Sequence, residues 1–494
     1  MRILHVLAQL PIKTGSGVYF TNVIDGLKRF NVEQAAIYAT TPEYNFNFVD
    51  EKFEVQRTGL VQFNSSIPNS ISEIDKKPLP EGTPTKNLAT PGRHEFSIWK
   101  EGYQTWWRQT EVRVGEILWL NYARLVPKKI TEKSFLNIPN LKNAFVAPDK
   151  KKIFAISEDS NSEAVFWLID ISDREPKISK LNFNSNIFER NNQTPETSGK
   201  DNFYKIADNL KVSKISNDNK KAIVSFNNGG KLDWLILNFE NPTESINLTQ
   251  KFHLDFSKLA ASSDDANKLV GLSGTDLREI NISNNTISAA FLNNIVDFEI
   301  YDKENIAYIQ KNVKNGEFSV GVRRGDKNNE TTSGLKNQPK IAIGRYYRES
   351  YLYVAEGSKI NIYKSASWSD GLQLIKVLNV GFMPDYLKLN GESRILIAKK
   401  GNSVYSYDLE TRNNYTYTSV DGDEIKWLDD FVLGEYSEGK LVISDFDSMN
   451  RHVLSKGLAD FPFTISANNK FIYTFIKNDN GTFSINRMNM TTEE

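Results

Sequence analysis

A rhythm restricts this chain more than any single motif. After residue 128 a short polar turn followed by an apolar run recurs at Asp149 (APDKKKIFAI), Asp218 (SNDNKKAIVSF), Asp265 (SSDDANKLVGL), Asp302 (IYDKENIAYI), Glu349 (YYRESYLYVA), Gly391 (LNGESRILIA), Asp430 (WLDDFVLGE) and Asn468 (SANNKFIYTF). From Asp218 to Asn468 is 250 residues in six steps, about 42 each. The first step, from Asp149 to Asp218, is longer at 69 residues, and the excess falls in the polar segment from Phe183 to Asn202, which reads as an inserted loop. A second marker follows each turn, an amphipathic stretch that ends polar: VFWLIDIS, DWLILNFE, LREINISN, FSVGVRRGD, KINIYKSA, VYSYDLET, LVISDFDS and FSINRMNM. A repeat of this size cannot bury both of its faces alone and has to stack on its neighbours.

The spacing is that of four-stranded β-propeller blades. Both markers occur eight times, which predicts an eight-bladed propeller over residues 128–494, or a seven-bladed one if a terminal copy completes another blade by ring closure. The rhythm resembles TolB-like and WD40-like propellers in architecture, without a strict repeating Trp-Asp dipeptide or Gly-His pair.

Upstream, the stretch from Thr83 to Pro127 holds Trp99, Trp106, Trp107 and Trp119, half of the chain's eight tryptophans. Pro91-Gly92 is a turn signal before the alternating run Glu95 to Trp99, and Lys100-Glu101-Gly102-Tyr103 is a second turn. Residues Thr110 to Val114 alternate again, so the segment predicts a small antiparallel sheet with one buried face. Strands are also expected at Thr58–Ser65 and through Ile71 and Ile74, with a loop from Lys76 to Pro84. Trp106 and Trp107 are adjacent and cannot both face inward on one strand. Together with Trp99 and Tyr103 they are the candidate binding residues, because an exposed tryptophan can anchor a partner. His94 reads as a hydrogen-bonded structural residue rather than an acid, base or ligand.

The ordered motifs of residues 58–127 resemble a PEGA domain, a small bacterial β-sandwich module. That family's core runs P-x-G-A, T-P, P-G-x-H/Y and K-x-G-Y. Thr83-Pro84, Pro91-Gly92-Arg93-His94 and Lys100-Glu101-Gly102-Tyr103 are present, while Pro68-Asn69-Ser70-Ile71 stands where P-x-G-A is expected. Asn121 to Pro127 is similar to the exit from PEGA modules of a bacterial envelope group, in which a membrane-anchored module precedes a propeller-like region. The resemblance implies a cell-envelope or extracytoplasmic location. A cytoplasmic location is the alternative, since Ile3 to Leu10 reads as a buried strand and not as a signal-peptide core.

Residues 1–45 predict strand, glycine loop, helix (Val18 to Phe30) and strand, one βαβ unit. The run MRILHVLAQLPIKTGSGVYFTNVIDGLKRF resembles the N-terminus of GT-B-fold family 4-type glycosyltransferases. In that family the glycine loop lies in the nucleotide-sugar cleft, which by resemblance concerns Gly15, Ser16 and Gly17. Neither a second nucleotide-binding half nor the family's Glu-x7-Glu element follows. Residues 46–57 read as a connector with strand character.

Composition narrows the chemistry. Lys+Arg and Asp+Glu are 61 each, so no global charge draws the chain to nucleic acid. There is no cysteine, which removes thiolate catalysis, disulfides and cysteine-ligated metals. The four histidines, His5, His94, His253 and His452, are scattered, and no G-x-S-x-G elbow or Walker loop occurs. The acidic run Asp421-Gly422-Asp423-Glu424 lacks an EF-hand pattern and reads as an exposed turn. Arg323-Arg324 and Lys150-Lys151-Lys152 read as solvated tips. No apolar run reaches about 18 residues, so no transmembrane helix is expected. The sequence therefore predicts a mainly β, non-enzymatic binding or scaffold protein of the bacterial envelope, without cofactor or metal, for a protein or cell-wall glycan ligand. The alternative is a glycosyltransferase-derived or propeller-type carbohydrate-active enzyme, the latter needing two carboxylates across a pocket.

Overall fold

The structure, a computed structural model, describes residues 2–7, 33–38, 51–54 and 58–492, apart from 162, 189–209, 229–230, 262–266, 303, 367–370 and 420–425, with side chains described from residue 58 onward. The chain divides into two compact units, Met1–Val126 and Pro127–Glu494. The described residues are predominantly β-strand, in many small sheets.

The first unit begins with β1 (Arg2–Leu7), β2 (Glu33–Tyr38) and β3 (Glu51–Glu54). β1 pairs with β2 in parallel, as a βαβ unit requires, and the expected helix lies outside the described residues. β3 then adds a third parallel strand beside β2, inside the segment that reads as a connector. Seven more strands follow: β4 (Gly59–Ser65), β5 (Ile71–Ile74), β6 (Lys77–Gly82), β7 (Thr85–Ala89), β8 (Gly92–Trp99), β9 (Trp106–Val112) and β10 (Ile117–Ala123). They form two sheets, β10-β4-β7 and β6-β5-β8-β9. The stretch from Lys76 to Pro84, expected as a loop, contains β6, because a hairpin with Asp75 and Lys76 at positive φ folds it back on β5. Phe63 of one sheet meets Phe96 of the other at 5.9 Å, and Trp106 meets Tyr122 edge-on at 5.8 Å. These inward residues come from strict alternation; β9 reads buried, exposed, buried along its whole length.

The second unit opens with β11 (Glu132–Ile138) and continues as four-stranded antiparallel sheets, numbered here I to VIII. In sheets I to VII the four strands follow one another in sequence and in space, each sheet a meander. The second and third strands of every sheet coincide with the two sequence markers, from Lys152–Glu158 and Ala164–Asp170 in sheet I to Phe471–Lys477 and Phe483–Asn489 in sheet VIII. β11 pairs with Phe483–Asn489, so the first strand of the unit completes its last sheet.

The sheets pack face to face in order. Phe154, Phe166, Phe226 and Phe239 fill the space between I and II, Trp234 and Phe256 that between II and III, and Phe298 and Tyr308 that between III and IV. Leu352 and Val354 pack between IV and V, and Tyr353 and Tyr405 between V and VI. Tyr417 of sheet VI donates to the Phe446 carbonyl at 3.1 Å, just past the third strand of VII, and Tyr436 of VII meets Phe463, just before sheet VIII, at 5.9 Å. Phe461 and Phe475 then join sheet VIII to Ile153 and Ile169 of sheet I. The first strands of sheets II to VI lie against one another in succession. This is a repeat fold of the β-propeller kind.

The polar markers have a hydrogen-bonding cause. In the first hairpins of sheets I, II, VI and VIII the same turn recurs, with an N–H accepted by the carbonyl five residues on (Ala147 to Lys152, Ser216 to Lys221, Asn390 to Ile395, Ser466 to Phe471). The fourth residue of each, Lys150, Asn219, Ser393 or Asn469, has positive φ. In sheets II and VIII even the side chains repeat: the Ser216 and Ser466 hydroxyls bond Asp218 and Asn468, whose oxygens accept Lys220 N–H and Lys470 N–H. The polar residue ending the third strand likewise accepts a following N–H, as Asp170 does from Ser172 and Asn238 from Glu240.

Sheet VI buries an ion pair. Asp408 accepts from Arg394 Nε and Nη2 at 2.9 Å each, from Thr411 Oγ1 at 3.0 Å and from Glu410 N–H at 3.0 Å. Both side chains are almost wholly excluded from solvent. Removing one partner strands a buried charge, so Arg394→Met is expected to lower stability by about 3–5 kcal/mol, read from urea unfolding. A loss below about 1 kcal/mol would mean Asp408 is satisfied by its other donors.

Candidate functional site

The sequence placed Trp99, Tyr103, Trp106 and Trp107 together, and the structure separates them. Trp106 is completely buried and Tyr103 nearly so, which withdraws both as ligand contacts. Alternation along β9 turns Trp106 to the core and Trp107 outward. Trp107 is 43% exposed and Trp99 36%. Ser97 of β8 lies opposite Trp107 of β9 and opposite Glu73 of β5. Trp99, two residues beyond Ser97 on the same face, is therefore the diagonal neighbour of Trp107.

Glu73 organises this outward face. Its Oε2 accepts from Ser97 Oγ at 2.6 Å and its Oε1 from Trp99 Nε1 at 3.1 Å. The indole of Trp99 is thus held in one orientation, with its ring left half-exposed. Lys100 closes the end of the strand by donating to the Pro68 carbonyl at 2.9 Å. The face combines two aromatic surfaces, a hydroxyl and a carboxylate on rigid strands, a set suited to non-covalent contact. Glu73 and Ser97 were not singled out from the sequence. Their signal was present in the period-two spacing Ser97–Trp99 and in the pairing of β5 with β8, which sequence alone does not register.

The PEGA-like motif residues are structural. Thr83 Oγ1 meets Ser65 Oγ at 3.0 Å and accepts Ser70 N–H at 3.1 Å, tying the turn that departs from P-x-G-A to β4. The Thr83–Pro84 peptide is cis. His94 bridges Asp75 Oδ2 at 2.6 Å and the Thr90 carbonyl at 2.7 Å. Asp75 sits below the usual carboxylate range because it accepts the Glu95 N–H and the bond to His94. His94 is thus a strut between two turns. Gly15, Ser16 and Gly17 and the acidic run Asp421 to Glu424 lie outside the described residues.

A second polar cluster forms where the first hairpins of sheets VI and VII meet. Asn390 Nδ2 donates to the Asp430 carbonyl at 2.8 Å, and Lys150 of sheet I reaches the Leu428 carbonyl at 3.0 Å. A side chain at Gly391 would collide with the Asp430 carboxylate. Lys150 is therefore a strut across the repeat and not a solvated tip. Burial pushes the Asp430 carboxyl up, Lys150 and the Gly391 N–H oppose this, and Asp429 adds to it. Burial, then Asp430, raises Glu392. Among the described residues no three His, Asp or Glu side chains are grouped to hold a metal ion.

No family model matches the chain, and no curated protein matches it. Among solved structures it is similar to a chain of the mitotic checkpoint complex, with 10% identity and a TM-score of 0.35 over 54% of this chain and 84% of that one. It is also similar to a functionally unknown protein from Desulfotomaculum acetoxidans, with 11% identity and a TM-score of 0.34 over 66% of this chain and 95% of that one.

Two outcomes test these assignments. Trp106→Ala removes a fully buried side chain and is expected to cost about 3–5 kcal/mol, whereas Trp107→Ala should stay within about 1 kcal/mol of the parent in the same denaturant titration. For Asp430 the raised folded pKa means that its stabilising share is complete below the ordinary carboxylate pKa and is lost as pH rises through the folded value. Asp430→Asn keeps the acceptor for Gly391 N–H and should raise the melting temperature at pH 8, with the gain vanishing towards pH 3. Destabilisation by this variant at pH 8 would show that the electrostatic attraction of Lys150 outweighs burial.

Proposed function

We propose that this chain is a non-enzymatic binding protein of the bacterial cell envelope, built from a PEGA-like sandwich and an eight-bladed propeller, and that the face of Glu73, Ser97, Trp99 and Trp107 docks a protein partner. One observation carries the reading: two half-exposed tryptophans stand as diagonal neighbours on adjacent strands, one of them fixed by a carboxylate that also holds a serine. Tryptophans on a rigid sheet lose little entropy on contact and dominate the interfaces in which they occur. The seven meanders, the eighth sheet completed by β11 and their continuous face-to-face packing support the propeller, and the Thr-Pro, Pro-Gly-Arg-His and Lys-Glu-Gly-Tyr series supports the PEGA-like assignment and with it the envelope location. Among the described residues no helix is long and apolar enough to cross a membrane.

The test places a photo-crosslinking amino acid at Gln109, beside Trp107 on β9, in the native cell. A partner recovered there should bind the purified chain, and the double variant Trp99→Ala/Trp107→Ala should weaken that affinity at least about 30-fold, as loss of a hot spot does. Unchanged affinity would remove this face from the interface. Recovery of the protein only in the cytosolic fraction would sink the envelope assignment.

A further inference from the structure

Sheet IV carries a cleft that the preceding site does not use. It measures about 770 Å³ and lies between the hairpin joining the second and third strands, Asn305–Lys311 and Phe318–Arg324, and the end of the fourth, Lys327–Leu335. The volume falls within the range of small-molecule sites. The fourth strand opens the cleft: its register against the third shifts twice, between Phe318 and Val320 and between Val320 and Gly321. Bulges of this kind bend a strand away from its partner. The hairpin wall is held by its own bonds. Asn312 N–H donates to the Glu317 carbonyl at 2.8 Å, Gly316 N–H to the Asn312 carbonyl at 2.9 Å, and Lys311 N–H to the Asn294 carbonyl at 2.8 Å.

The lining defines the ligand chemistry. Lys311 and Lys314 line the cleft together with Glu317 and Glu330, so its charged groups balance and favour neither an anion nor a cation. The amides of Asn294, Gln310 and Asn312 add donors and acceptors. The Glu330 carboxylate is exposed and accepts no side-chain hydrogen bond from a described residue, and Phe318 contributes a half-buried ring with the Lys311 ammonium 5.7 Å from its centre. An extended peptide normally gains affinity by adding a strand to a sheet edge. Two bulges bend this edge out of line, which removes that mode. What remains is a neutral ligand that bonds through many hydroxyls and rests its C–H surface on one aromatic ring.

We propose that this cleft binds an uncharged oligosaccharide, with Asn294 and Glu330 as hydroxyl partners. The assignment stands apart from the tryptophan face. Calorimetry on the full chain with maltohexaose, cellohexaose and chitohexaose, and with polygalacturonate and a neutral peptide as controls, tests it. Saturable binding of at least one neutral sugar is expected, weakened tenfold or more by Asn294→Ala/Glu330→Gln and abolished by Ser333→Trp, which fills the cleft from an exposed position. Trp99→Ala/Trp107→Ala should leave it unchanged, so the two surfaces fail or succeed separately. Thermal melts confirm that each variant is folded, and Glu330→Gln alone reports if the bulky one is not. No binding of any neutral sugar, binding that survives Ser333→Trp, or preference for the acidic polymer or the peptide overturns the proposal.

Discussion

The pairing of β11 with Phe483–Asn489 joins ends of the second unit that are more than three hundred residues apart, and it is the constraint that brings the first and last sheets of the repeat together. Glu132 accepts from Asn486 Nδ2 at 2.8 Å across 354 positions, and Ser484 Oγ donates to the Leu136 carbonyl at 2.8 Å. Arg487 packs between the rings of Phe135 and Phe471, at 5.0 and 4.6 Å, and donates to the Arg174 carbonyl at the end of sheet I. Without this strand, sheet VIII would offer an unpaired edge to solvent. A contact of such long range costs more loop-closure entropy than any within one meander, so it rewards folding only after the meanders exist.

Apolar packing alone would not fix the order of the sheets, because their faces are chemically alike. Polar clips between neighbours supply direction. Asn143 of sheet I donates to the Leu210 carbonyl of II at 3.3 Å, Lys214 of II to Ala261 of III at 2.9 Å, and Lys258 of III to Phe298 of IV at 2.7 Å. Lys258 also meets Asp297 and Glu299, which raise its pKa against the opposing effect of burial. These lysines sit on first strands, where sequence reading treats a lysine as a solvated surface charge. They serve instead as long donors to the next sheet's backbone, and their stems cover apolar surface on the way.

This explains which parts of the fold were legible. The second strands lie between two neighbouring sheets, so both faces are buried and the residues run apolar with little alternation; Ile395–Lys400 and Glu349–Glu356 are buried almost throughout. They stood out in the sequence for that reason. Fourth strands face solvent on their outer edge and are short or polar, such as Thr286–Ile287 and Lys327–Leu335. Several first strands are equally short, such as Lys426–Trp427. Both classes carry a weaker signal than the second strands, even where burial alternates as it does along Asn414–Thr418. On the sandwich the alternation of β9 separated Trp106 from Trp107, but the cross-strand registers that bring Glu73 and Trp107 to opposite sides of Ser97 belong to strand pairing and leave no mark on any one segment.

The same division decides where chemistry can reside. A residue in the middle of a second strand is committed to packing on both sides, and a charge buried between sheets has to be satisfied, as Arg394 and Asp408 are. Freedom to carry a ligand is left to hairpins, to outer strands and to the outward face of the sandwich. The two surfaces singled out here follow that rule. The tryptophan face uses the exposed side of a sheet whose other side is core, and the cleft of sheet IV uses a hairpin and a doubly bulged outer strand. In both, the backbone is fixed by packing elsewhere, so the side chains are presented on a surface that does not have to reorganise to receive a partner. Substitution in these positions leaves the closing pair of β11 and Phe483–Asn489 untouched.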